Sequence, residues 1–508
     1  MRITNSMMSN RMMLNINRNM RLLDTLQMQW STGKQIQFPS ENPIIASRAL
    51  NFRTAVAQNQ QHQRNVDQAE SWMEMTESGF EEVTRVLTRI NELIVQGDAV
   101  ENVDGLQAIA TQIASYMDQL GLAMNASYTG RYLFSGFRTD QPGVFLRDDP
   151  GLRFDNITQS FTSRNVENIH AIQRFEVGAE PEITEASVIK LPYTGAENVR
   201  VTIGGFTAAQ AGAMPGYQGS FTNATIGAAV TGGSPGDIFF NTDTGEITII
   251  APDKMAHGVN QDVDAFKPGE FEIFHVVDTG QIVLGSAFAG AQAFDVQYDK
   301  EGFQKGDLNP IVYFTATDPS FSPPRTFSME GQHIEYEFGI GTRFPINSLA
   351  KDVVPAHMIA DIRSFVDTVL GASVSERTDI IARLGSLPEN AGLSQAELSQ
   401  MADAQIAREE QRLMTALQSK FSNMIQHVEN HTSAVSRHQT DLGARMSRLD
   451  LVRERLERDE VSLERILSQN EDADLVEVAM RLSNAEAVYQ ASLMAGINMV
   501  QLSLANFL

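Results

Sequence analysis

Apolar residues recur every seven positions along one stretch: Met414, Phe421, Val428, Val435, Leu442, Leu449, Leu456 and Leu463. A second series starts three residues later, at Leu417, Met424, His431, His438, Arg445, Val452, Asp459 and Ile466, and half of it is apolar. Alternating steps of three and four wind an apolar seam down one side of a helix. No proline interrupts 393–469, and Gly443 is the only glycine in the heptad run. The spacing therefore predicts one rod about 110 Å long, at about 1.5 Å per residue. A helix of that length needs a partner, because propensity alone contributes little in water.

The partner is written in the other half of the chain. Val66, Met73, Phe80, Leu87 and Ile94 repeat every seven within a predicted helix over 44–96, and Ala69, Thr76, Val83 and Ile90 fill the alternate positions. Gly97-Asp98 stops that helix, and Ser40 or Asn42 with Pro43 is suited to start it. A third helix is predicted over 103–130, with a link short enough for an antiparallel hairpin. These two helices are expected to receive the seam of 393–469. Shorter amphipathic helices flank them. Met13, Ile16, Met20, Leu23 and Trp30 share a face within 1–30, and Leu475, Val478, Leu482, Ala485, Tyr489, Ser492, Gly496 and Met499 keep the same spacing within 472–506, with Ala485, Ser492 and Gly496 small enough for a second helix to approach closely.

Between the helical halves the texture changes. Residues 139–345 hold 13 of the 17 prolines. Strand-like runs appear at Val199–Ile203, Asp237–Asn241, Glu246–Ile250, Phe271–Val277, Ile311–Thr315 and His333–Phe338, with a hairpin turn at 241–245. A helix is expected again at 353–371. The fold class is thus α+β: a long helical bundle or coiled coil built from the N- and C-terminal regions, with a β-rich domain inserted between them. The expected divisions are 1–43, an assembly region pairing with 470–508; 44–138 and 346–469, the two halves of the bundle; and 139–345, the insert.

Composition narrows the function. The 508 residues carry a net charge of −24, which argues against a nucleic-acid partner. There is no cysteine, so disulfides and thiolate-bound metal are excluded. The first 20 residues lack the apolar core of a secretory signal. Residues 487–508 carry no charge, but six Asn, Gln and Ser side chains spread through them speak against a membrane span. The ends have opposite charge, +4 over 1–40 and −4 over 461–508, which favours their pairing.

Catalytic signals are weak. Gly33-Lys34 is no phosphate loop, since Met28 stands where a glycine is needed. No Gly-x-Ser-x-Gly elbow is present. His431 and His438 lie seven apart rather than four, so they read as polar seam positions that set register, as do Arg445 and Asp459. Glu471, Asp472 and Asp474 lack the spacing of a calcium loop and suit a helix N-terminus. No enzyme, cofactor or metal is expected.

The end sequences resemble a known family. Trp30-Ser-Thr-Gly-Lys-Gln-Ile-Gln-Phe-Pro-Ser-Glu-Asn-Pro43, followed by Ala49-Leu50, is similar to the "SGK-x-I-x-x-PSDDP" stretch of the hook–filament junction branch of flagellin-like proteins, the hook-associated protein 3 (FlgL) family. Gly130-Arg-Tyr-Leu-Phe-Ser-Gly136 resembles that family's "GRYIFSG" at the end of the second bundle helix. Glu471-Asp-Ala-Asp474, Gln490-Ala-Ser492 and Ser503-Leu-Ala-Asn-Phe-Leu508 resemble its last helix. Departures are Glu41-Asn42 in place of Asp-Asp, and Trp30 before the serine.

The resemblance implies a structural protein of the bacterial flagellum. It would be exported unfolded through the flagellar type III channel and lie outside the cell. Its implied partners are further copies of itself in a ring, the first hook-associated junction protein, flagellin and an export chaperone, with no membrane insertion. Two alternatives stand beside it: a flagellin-like filament subunit, and a secreted adhesin using the β-rich insert. The assembly contacts are expected on Met13, Ile16, Met20, Leu23, Trp30, Leu475, Leu482, Tyr489 and Met499, with both ends becoming ordered between subunits.

Overall fold

The computed structural model describes residues 5–172, 183–255, 263–339, 341–372, 376–390 and 392–505, without the side chains of 5–6, 170–172, 183–184, 263–264 and 496–505. Helix α1 spans Asn5–Thr32, α2 Pro43–Asp98 and α3 Val103–Met124. The β-rich segment follows, then a helix over Ala356–Leu370, the rod helix over Gln395–Glu471, and the terminal helix over Leu475–Ala505. The fold is α+β, with helical ends enclosing a β-rich middle. It forms two compact units.

One unit comprises residues 1–69, 336–344 and 447–508. Here α2 and the rod helix run antiparallel: Asn59 donates to the Leu456 carbonyl at 2.8 Å, Gln63 to Glu460 at 2.8 Å, and Arg453 faces Asp67 at 3.8 Å. Asn65 donates to the Glu337 carbonyl at 2.8 Å, holding the 336–344 segment against α2. The terminal helix packs antiparallel on α1, where Leu26 meets Val478 and Ala485.

The other unit comprises 70–335 and 345–446. Its helices carry out the heptad pattern. Met73, Phe80, Leu87 and Ile94 of α2 are fully buried, as are Phe421, Val428, Val435 and Leu442 of the rod. Phe421 meets Phe365 edge to face at 4.7 Å and covers Gly97, whose missing side chain makes room for the ring. Sequence placed the end of α3 at 130; it ends at Met124, capped at its start by Asn102. Residues 127–132 instead form a small hairpin that delivers Leu133 and Phe134 into the core, where Phe134 meets Phe80 edge to face at 6.2 Å.

Among its described residues the insert holds two large sheets, besides a two-stranded pair of Glu335–Glu337 and Arg343–Pro345. The eight-stranded one runs in the order Arg325–Phe327, Thr315–Asp318, Asp149–Thr162, Ala293–Phe303, Ala196–Gly204, Glu246–Ile250, Ile238–Asn241 and Tyr217–Phe221. The five-stranded one runs Asp253–Lys254, Ile273–Val276, Gln281–Leu284, Ile183–Lys190 and Glu167–Ile172. The hairpin at 241–245 is present. Ile311–Thr315 is not a strand. Asn309 caps a short helix over Pro310–Tyr313 by accepting from the Ile311 amide at 3.2 Å, and Pro310 supplies its pre-set first turn.

Candidate assembly interface

Both chain ends leave the rod at one place. Thr32 ends α1, and Gly33, at φ +68°, turns the chain out of the helix. The rod ends at Glu471, and Asp474 starts the next helix by accepting the Val476 amide at 2.9 Å and the Glu477 amide at 3.2 Å. Across this break Gln35 N–H donates to the Glu471 carbonyl at 2.7 Å, and Ala473 N–H to the Gly33 carbonyl at 2.8 Å. The two connectors are thus one short antiparallel bridge.

Charge reinforces the bridge. Lys34 lies 2.7 Å from Asp472 and 3.0 Å from Glu471, and Arg53 of α2 grips both oxygens of Glu471. Glu471 is 4% exposed although it carries a charge, which the two cations make tolerable. The Arg53 hydrogen bonds outweigh burial and, with Lys34, hold the Glu471 carboxyl below its usual range. Lys34 does the same for Asp472, with help from Ser468, and is itself raised by Asp472 and Glu471. Glu471 and Asp472 therefore serve a cross-link, and Asp474 alone makes the helix cap. On the other side Asn42 caps α2, accepting from Ile44 and Ile45 amides at 3.2 and 3.3 Å.

Beyond the bridge, α1 and the terminal helix lie side by side. Asn19 donates to Ser492 at 3.1 Å, and Tyr489 reaches the Met20 sulfur at 3.8 Å. Ile16 and Leu23 are half-buried in the seam, as are Leu482 and Tyr489 opposite. Met13 and Trp30 stay outside it, 63% and 49% exposed, and Leu475 is 47% exposed. The side chain of Met499 lies outside the described residues. Val478 and Ala485, both on the stripe that the spacing marks, are the best-buried residues of the pair together with Leu26, which the spacing passes over. Leu26 follows Leu23 by three and was the natural next position of the stripe.

Facing away from the seam, Met7, Met8, Leu14, Leu22 and Met28 on α1, and Val476, Met480, Val488 and Met494 on the terminal helix, are 39–71% exposed in company with Leu493. Exposed apolar residues on this scale mark an interaction surface. No described helix is long and apolar enough to cross a membrane.

Comparison with known proteins meets this geometry at both ends. Residues 3–139 match the bacterial flagellin N-terminal helical region, and residues 425–508 the bacterial flagellin C-terminal helical region. Both helical ends of the chain are thus similar to the corresponding regions of bacterial flagellin. The chain is also similar to flagellar hook-associated protein 3 of Salmonella typhimurium, 34% identical over 142 residues that span 28% of this chain and 45% of the relative. It is also similar to the protein of that name from Escherichia coli, 34% identical over 131 residues, 24% of this chain and 41% of the relative. The matched stretch thus spans less than half the length of either relative. A putative flagellar hook-associated protein from Vibrio parahaemolyticus overlaps 85% of this chain and 100% of its own at 10% identity, with a TM-score of 0.36, too low to define a common fold.

Proposed function

We propose that this chain is a structural subunit of the bacterial flagellum that forms the junction between hook and filament, outside the cell, and onto which flagellin assembles. The observation that carries the reading is the paired end helices. They bury one apolar stripe against each other and keep a second one exposed, which only neighbouring subunits of an axial polymer would cover. In this reading Met13, Met20, Trp30 and Leu475 contact neighbours, while Ile16, Leu23, Leu482 and Tyr489 hold the pair together; Met499 is assigned to the same interface. The abundance of methionine suits contacts that must fit imperfect partners. Residues 1–43 and 470–508 make the inner assembly region, 44–138 and 346–469 the bundle, and 139–345 the outer insert. The partners are other copies in a ring, the preceding junction protein, flagellin and an export chaperone, and the chain performs no catalysis.

Deleting the gene tests this. Electron microscopy should show hooks without filaments while flagellin accumulates in the medium. Normal filaments on the deleted strain would overturn the reading, and a strain with intact junctions that lacks only filament protein would point to a flagellin-like filament subunit instead.

A further inference from the structure

The unit that bears the insert contains a cleft of about 930 Å³ lined by Asp361, His427 and His431. His427 and His431 are four apart on the rod helix, so both imidazoles leave the same face one turn apart. Asp361 comes from the helix Ala356–Leu370. His431 Nε2 lies 2.9 Å from Asp361 Oδ2, and His427 Nδ1 lies 3.7 Å from the same oxygen. All three ligating atoms fall within 4.8 Å of one another. A tetrahedral ion with bonds of about 2.0–2.1 Å holds its ligand atoms about 3.3 Å apart, and the observed separations bracket that value.

Charged groups of both signs surround the cluster. Glu167 Oε1 stands 3.6 Å from His427 Nδ1, and Lys190 lies 2.6 Å from Glu167 and 3.7 Å from Asp361. Among these ion-paired groups one ammonium meets two carboxylates, while Arg164, Lys351, Arg437 and Glu330 line the same cleft. Sequence reading paired His431 with His438, which is exposed, and so missed the partner one turn away.

We propose that Asp361, His427 and His431 bind a divalent transition-metal ion of the zinc class. Two imidazoles and a carboxylate are the nitrogen and oxygen donors such an ion takes, and the cleft leaves room for a fourth ligand. The bound ion would staple the helix that follows the insert to the rod.

The test uses full-length protein stripped with a chelator and titrated with zinc chloride by calorimetry, with bound zinc measured by mass spectrometry after desalting. One ion per chain is expected, together with a higher melting temperature. His427→Ala and Asp361→Asn should each weaken binding by about 100-fold or more, since losing even a supporting hydrogen bond costs a metal site about 10–100-fold. His438→Ala, on the same helix, should bind as the unaltered chain does. Because alanine at 427 could loosen the bundle, His427→Gln keeps a polar side chain there and should fold without zinc yet gain no melting temperature from it. Failure to bind one ion per chain would overturn the proposal, as would unchanged binding in the His427→Ala/His431→Ala double variant.

Discussion

At the scale of single residues, the most consequential group is the Glu471 carboxylate. Its pKa and that of Asp472 are depressed in the folded chain, so their stabilisation is complete above the ordinary carboxylate range near pH 5. It fades as pH falls through the folded values, below about pH 4. Lys34 acts in the opposite sense: its raised pKa keeps its contribution intact until pH climbs past 10.5. Glu471→Gln should cost about 1–2 kcal/mol at pH 7, because the cations it releases are half-exposed and regain water. Urea unfolding followed by Trp30 fluorescence in a Trp72→Phe background would measure the loss, which should shrink as pH falls below the ordinary carboxylate range.

Lys420 on the rod makes an opposite prediction. Burial, reinforced by Lys190, pulls its ammonium down to about 8. At neutral pH the unfolded chain holds that proton more readily, so the charge destabilises the fold, and stability from this group rises between about pH 8 and 10.5. Lys420→Met should therefore stabilise the protein by about 1–2 kcal/mol at pH 7, with the gain over the unaltered chain disappearing above pH 10.5 in melts across that range. Neither role was legible in the sequence. A buried cross-link between residues 34, 53 and 471 depends on where two helices end, and heptad spacing carries no information about the angle at which the chain leaves them.

At the scale of elements, the heptad series were the legible part. Every position from Val66 to Ile94 that the spacing marked is buried, and so is the rod's leading series from Phe421 to Leu456. Periodicity succeeds there because one face of a long helix meets one continuous neighbour. It fails where the chain changes direction: the 130–136 motif starts in the 127–132 hairpin beyond the helix, since Thr129 and Gly130 take positive φ, and residues 310–313 form a helical turn started by Asn309 and Pro310. The core also shows how closely the helices meet. Gly97→Ala would drive a methyl into the Phe421 ring, and overpacking of this kind costs about 1–3 kcal/mol. Phe421→Ala should cost about 3–5 kcal/mol through the cavity it leaves. The double variant should lose less than the sum, because the smaller residue at 421 makes room for the methyl; chemical denaturation of the four proteins reads the difference.

At the scale of the whole molecule, charge and exposed apolar surface act against each other. Sixty-three acidic and 39 basic side chains leave each copy at −24, so copies repel at long range. The exposed stripes of the end helices attract only in contact. Salt shortens the reach of the repulsion, to about 10 Å at 0.1 M and about 3 Å at 1 M, and leaves the apolar contacts in place. Self-association of the purified chain should therefore strengthen as sodium chloride rises from 0.01 to 1 M, a range set by that screening, as read by sedimentation velocity. Trp30→Ser and Leu475→Ser, both exposed in the single chain, should weaken association at every salt concentration without lowering the melting temperature of the subunit. Leu26→Ser, buried between the paired helices, should do both, because it breaks the pair before any neighbour arrives. If association instead weakened steadily with salt, attraction between charged groups would hold the copies together, and the apolar stripes would need another occupant.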